Sequence, residues 1–335
     1  MCHIAAQSIS KFDNQTNIHF MVQNIHLTEC RFMQTVRSQH SIDAAELKAQ
    51  FCVNTLGRIR TSETYTSTLN SFKRFRENKD VLLNQMNSDL IVAYETYLKS
   101  KGVCPNTSSF YMRILRAIYN RAVDKGLTPQ NHPFKRVYTG VDKTIKRAIP
   151  LKAVKSLKEM DFSDNPLYDF ARDMFLFSFY TRGMSFIDMA YLQKKDIQNG
   201  ILSYRRRKTG QVLYIKLERC IQDIIDKYNS RQSCYLLPII LPDCRFDARK
   251  QYIYSAHKIN RCLKIIGRNM DLSISLTLYV ARHSWASIAK SKNVPLSVIS
   301  EGMGHDSEDT TRIYLASLDT LAIDKANSMI LKALN

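Results

Sequence analysis

The sequence predicts a mainly α protein with a small β-hairpin or sheet, an α+β chain organised as two domains. Three observations predict it. Apolar residues recur at helical spacing over most of the chain, and no proline occurs before Pro105. One pair of short runs, 201–206 and 212–217, alternates as strands do, with Lys208-Thr209-Gly210 between them as a turn signal. A run rich in proline, glycine and basic residues, 128–150, separates two helical blocks. A length of 335 residues suits two domains.

Composition narrows the class further. Hydrophobic residues make up 44% and charged residues 24%, which is a globular rather than a disordered balance. The 49 basic and 30 acidic residues give a formal charge of +19, which favours a polyanionic partner through steering and counterion release. The eight cysteines at 2, 30, 52, 104, 220, 234, 244 and 262 include no CxxC pair. Neither a zinc site nor a disulfide scaffold is therefore expected, and a reducing compartment fits. The first thirty residues lack a basic segment followed by an apolar run, and no apolar stretch reaches the ~18 residues of a membrane span. No membrane partner is expected.

Residues 1–45 are polar and poorly patterned, and form an unassigned N-terminal extension. Residues 46–127 read as helical. Thr61-Ser62-Glu63-Thr64 precedes the apolar series Tyr65, Leu69, Phe72 and Phe75. A second series, Leu90 to Leu98, stops at Lys101-Gly102, and a third starts at Pro105 and ends near Gly126. Lys73, Arg74, Arg113 and Arg116 decorate these helices and are candidate phosphate contacts; the bland alternative is a solvated face. Residues 128–150 read as a basic linker and 151–335 as a second domain. In that domain, Pro166 opens a helix carrying Leu167, Phe170, Met174 and Phe177. Further helical series follow at Ile221–Tyr228 and Ile253–Ile266, and a last one runs from Leu318 to Ala333.

The stretch from Arg282 to Tyr314 carries the chemistry. It holds Arg282-His283, then Gly302-Met303-Gly304-His305, then Tyr314 nine residues after His305. A guanidinium fork clamps phosphate oxygens, an imidazole moves protons near neutral pH, and a phenol can serve as a covalent nucleophile. These boxes, with TRGMSFIDMAYL at 181–192 and RRRKTG at 205–210, resemble those of the tyrosine recombinase (phage integrase) family, notably a subgroup from bacterial mobile elements. CPNTSSFYMRILRAIYNRAV similarly resembles the family's helical core-binding domain.

The resemblance implies a core-binding domain at 46–127 and a catalytic domain at 151–335. Tyr314 would form a 3′-phosphotyrosyl link with DNA, Arg282 would hold the non-bridging oxygens, and His305 would bond the phosphate or assist proton transfer. Lys208, at the hairpin tip, would protonate the departing 5′ oxygen, with Arg205, Arg206, Arg207 and His283 as DNA contacts. No metal or cofactor is implied. The implied partners are double-stranded DNA with specific sites, three further copies of the chain in a tetramer on paired sites, and an accessory DNA-bending protein. The implied location is the bacterial cytoplasm, on the nucleoid.

Two positions depart from the family pattern. Ser185 occupies the slot of the first-box arginine, with Asp188 in the acidic slot and Arg182 in the place of a threonine. Arg182 and Ser185, three apart, are expected on one helical face, with Arg182 reaching the phosphate instead; the alternative is compensation by another basic residue. Tyr279 stands where HxxR has its histidine. Its hydroxyl can donate to a phosphate oxygen but is a poor base near pH 7. These departures keep two rivals open: a DNA-binding protein that does not cleave, and a type IB topoisomerase.

Overall fold

The computed structural model describes residues 59–142, 147–229, 232–242, 244–315 and 330–331. The expected extension 1–45, the helical reading of 46–58, and the terminal series from Leu318 to Ala333 apart from 330–331 lie outside the described residues. The chain divides into two compact units, Met1–Lys143 and Thr144–Asn335.

The first unit is built on three helices, α1 (Ile59–Phe75), α2 (Ser88–Ser100) and α3 (Pro105–Asp124). Asn87 caps α2 by accepting from the Leu90 N–H at 2.9 Å. Pro105 starts α3, where its missing N–H costs nothing. One stripe of each helix is buried: Leu69 and Phe72 on α1, Ile91, Tyr94 and Leu98 on α2, and Met112, Leu115 and Tyr119 on α3. The Tyr94 hydroxyl reaches Ser71 Oγ at 2.8 Å, so the buried phenol is satisfied. Residues 127–142 pack back onto this bundle. Phe134 and Val137 join its core, and Ser109 Oγ donates to the Gly140 carbonyl at 2.5 Å. Arg74 and Arg113 are exposed, Lys73 is half-buried, and the Arg116 guanidinium donates to Thr139 Oγ1 at 3.1 Å.

The second unit is organised around α5 (Pro166–Tyr180), whose Ala171, Met174, Phe175 and Phe177 are fully buried. Such all-round burial follows from the helices packed against it: α4 (Leu151–Glu159), α7 (Arg219–Tyr228), α8 (Ala248–Asn269) and α9 (Leu278–Ser291). A short α6 (Phe186–Ala190) leads to an antiparallel sheet of order β1-β2-β3, made by Ile197–Gln198, Ile201–Arg205 and Val212–Lys216. Leu202 pairs with Ile215 and Tyr204 with Leu213, and these four form the buried face. The hairpin is where the alternation placed it, and the two-residue β1 is an addition. Helices α10 (Leu296–Gly302) and α11 (Glu308–Leu315) pack together at the end of the described chain, with Ile299, Met303 and Leu315 in a small core beside Ala286.

Candidate functional site

Four segments of the second unit meet at the turn Met303-Gly304-His305. They are the end of α5 with the turn after it, the β2–β3 hairpin, α9, and α10 with α11.

Arg282, on α9, is only 4% exposed. Its Nη1 donates to the Gly183 carbonyl at 2.7 Å, and its Nη2 to the Met303 carbonyl at 2.7 Å and to His305 Nε2 at 2.9 Å. The planar fork thereby knits the first box to the His305 turn. Gly183 is required for this approach. Its φ is +74°, and a Cβ there would stand 2.8 Å from Arg282 Cα.

His305 has one chemically consistent tautomer. Arg282 can only donate, so Nε2 carries the lone pair, and Nδ1–H donates to Thr311 Oγ1 at 2.7 Å. Burial, then the charges of Arg282, Arg206 and Lys208, push the imidazole pKa down to about 4. The ring is therefore neutral at pH 7. Thr311, fully buried on α11, fixes its orientation. Sequence reasoning did not pick out Thr311; its one signal is a place one helical turn before Tyr314. Tyr314 itself lies in α11, between Thr311 and the buried Leu315.

The hairpin brings three successive arginines to different fates. Arg205 is exposed and donates to the Gly210 carbonyl at 2.6 Å, and Arg207 lies over the Tyr191 ring at 3.7 Å. Arg206 is 6% exposed and turns inward, donating through Nη1 to the Gly304 carbonyl. Lys208 is exposed at the tip. The hairpin is anchored from below by Asp188, which accepts from the Arg207 N–H at 2.9 Å and from Ser185 Oγ at 2.5 Å.

The expected shared helical face for Arg182 and Ser185 is overturned. Helix α5 stops at Tyr180: Thr181 Oγ1 bonds the Phe177 carbonyl at 2.6 Å, and Arg182 and Gly183 take left-handed φ of +61° and +74°. Ser185 is instead the N-cap of α6. The Arg182 stem packs beside Gly302, and its charge reaches Tyr204. Tyr279 is 61% exposed on α9, one turn before Arg282. His283, expected as a DNA contact, is buried, and its ring meets that of Tyr279 edge-on at 4.5 Å. Among the described residues no group of three His, Cys, Asp or Glu is arranged to hold a metal ion. Among them, too, no helix is long and apolar enough to cross a membrane.

Family models match this chain over two spans. The phage integrase SAM-like domain matches residues 45–137, and the phage integrase family matches 152–320, just over half of the chain. The chain belongs to the phage integrase family. It is a tyrosine-type site-specific DNA recombinase, as its boxes suggested. The tyrosine recombinase XerC of Roseiflexus sp. (strain RS-1) is 24% identical over 281 residues, covering 82% of this chain and 86% of the relative. The fold is that of lambda integrase. The structure of its residues 75–356 as a dimer bound to a COC′ core site aligns with a TM-score of 0.64 and 14% identity, over 82% of this chain and 95% of that one. Lambda integrase as a tetramer bound to a Holliday junction aligns at 0.62 and 14%, over 84% and 80%.

Proposed function

We propose that Tyr314 cuts and rejoins DNA at specific sites through a 3′-phosphotyrosyl intermediate. The observation that carries this reading is the convergence of two buried guanidiniums and a neutral imidazole on the Met303–His305 turn, with α11 bonded to that turn through Thr311. In the cleavage step the Tyr314 oxygen attacks phosphorus, the P–O5′ bond breaks, and the phenol proton passes to His305 Nε2. Lys208 gives a proton to the departing 5′ oxygen. The imidazole is a weak base while burial and the nearby cations hold its pKa down; the negative charge of an arriving phosphate raises it. The phosphotyrosyl bond conserves the energy of the phosphodiester, so rejoining needs no external energy source.

Arg282 holds the non-bridging oxygens, and Arg182 adds charge to the same basin. Tyr279 offers a hydroxyl beside Arg282, with His283 bracing its ring. The helical bundle at 46–127, with 128–142 packed onto it, grips the duplex through Lys73, Arg74, Arg113 and Arg116, and 151–335 is the catalytic domain. Arg205 and Arg207 add phosphate contacts at the hairpin. The working assembly is a tetramer on two paired sites, acting on the bacterial nucleoid within a mobile or invertible element. Nicked suicide duplexes tiled from the DNA flanking its gene test this reading. Wild type forms an SDS-resistant covalent adduct and Tyr314→Phe forms none. No adduct on any duplex would leave a protein that binds without cutting, and an adduct without exchange between two sites would indicate a topoisomerase.

A further inference from the structure

We propose that Arg206 supplies the second guanidinium at the scissile phosphate, the role for which the first box here offers only Ser185. This rests on the cleavage reading above and names a residue that acts in it.

The hairpin pattern explains why the middle arginine of the three is the one inside. Side chains alternate across a strand, and Leu202 and Tyr204 are buried on the inner face of β2. Arg206 continues that face beyond the strand end, while Arg205 and Arg207 point the other way and are exposed. Its position is fixed at both ends. The Arg206 N–H donates to the Gln211 carbonyl at 2.7 Å, and Nη1 donates to the Gly304 carbonyl.

Arg206 and Arg282 stand as a pair. Arg282 Nη2 holds the carbonyl of Met303, and Arg206 Nη1 holds that of Gly304, the next residue. Both charges depress His305. Gly304 makes the pairing fit: its φ is +64°, and a Cβ there would stand 3.1 Å from Arg206 Cδ and 2.9 Å from Leu213 Cδ1. Among the described residues no carboxylate pairs with Arg206. Burying a guanidinium against neutral carbonyls carries a desolvation cost that an anionic ligand offsets.

The Ser185 slot is wired to the same hairpin. Ser185 Oγ donates to Asp188, and Asp188 accepts from the N–H of Arg207, the residue after Arg206. The box position that has lost its guanidinium thus helps hold in place the strand end that provides one. Arg182 is less suited. It sits in a left-handed turn with its stem against Gly302, and is less deeply buried than Arg206.

The test uses the full chain on a nicked suicide duplex that wild type cleaves and Tyr314→Phe does not, so failure of the cleavage reading registers separately. Arg206→Ala is expected to slow adduct formation about 100-fold or more, the usual effect of losing one preorganised donor, with DNA affinity within about threefold in gel shifts. Ser185→Arg in the Arg206→Ala background is expected to recover at least about tenfold, by returning a guanidinium to the box. A duplex with a neutral methylphosphonate at the scissile position has one less charge to stabilise. On it, Arg206→Ala is expected to approach the wild-type rate, which a merely misfolded variant cannot do. The proposal is overturned if Arg206→Ala cleaves the phosphodiester at the wild-type rate. It is also overturned if the defect is equally deep on the neutral duplex, or if Arg182→Ala alone carries the loss.

Discussion

The second unit contains two charge clusters built in opposite ways. At one, Asp169 and Asp173 on α5 meet Arg172 and Lys227. Lys227 Nζ lies 2.5 Å from Asp169 and 2.7 Å from Asp173, Arg172 bonds both carboxylates, and the Tyr228 hydroxyl completes Asp173 at 2.9 Å. Cations and anions balance there, two against two, and the cluster staples α5 to α7. At the other, Arg282 and Arg206 are held by main-chain carbonyls and His305 is neutral. The first cluster spends its charge on the fold. The second gathers positive charge around one imidazole.

That contrast can be broken by substitution, beginning with the largest effect. Arg282→Lys is expected to slow adduct formation about 1000-fold while the fold persists, because one ammonium cannot reproduce a fork that reaches Gly183, Met303 and His305 together. A cleavage rate near wild type would show that only charge matters there. Asp173→Ala should do the reverse. It leaves Arg172 and Lys227 one carboxylate short and lowers stability by about 3 kcal/mol in denaturant titration, with cleavage per folded molecule unchanged. Equal losses in both measurements would erase the distinction between the clusters.

Smaller effects sharpen the picture of His305. Thr311→Val removes the acceptor for Nδ1–H and is expected to slow cleavage about tenfold, with Thr311→Ser restoring it. Failure of the serine variant to rescue would mean that Thr311 acts by packing alone. The smallest effect is on stability against pH. His305 has a folded pKa of about 4, below its ordinary value of 6.5, so the unfolded chain binds more protons between those limits. Its contribution is full above about pH 6.5 and is lost as pH falls towards 4. Melting temperature should therefore drop less between pH 7 and pH 5 in His305→Gln than in wild type; parallel curves would contradict a buried neutral imidazole.

Much of this was legible in the residues, and what was not has identifiable physical causes. Helix spacing and strand alternation located the hairpin and the helices because burial on one face leaves a period in the sequence. Residues 180–186 were harder: apolar residues continue through them, yet Gly183 permits the left-handed turn that ends α5, and that turn moved Arg182 away from Ser185. Arg206 was hidden among identical neighbours, although Leu202 and Tyr204 two and four residues earlier marked its face as the inner one. His283 lies inside for a related reason. It follows Arg282 directly, but one residue along a helix is a rotation of about 100°, enough to turn it under Tyr279. Thr311 left no chemical trace at all, since a threonine becomes a histidine's orienting partner only through tertiary placement.

The Gly304 carbonyl accepts from Arg206 and, at 3.4 Å, from Thr209 Oγ1, the residue after Lys208. One oxygen atom thus moors the whole hairpin to the turn that carries His305. Under the proposed cleavage step, any displacement of the hairpin from that turn would move Lys208 and Arg206 together.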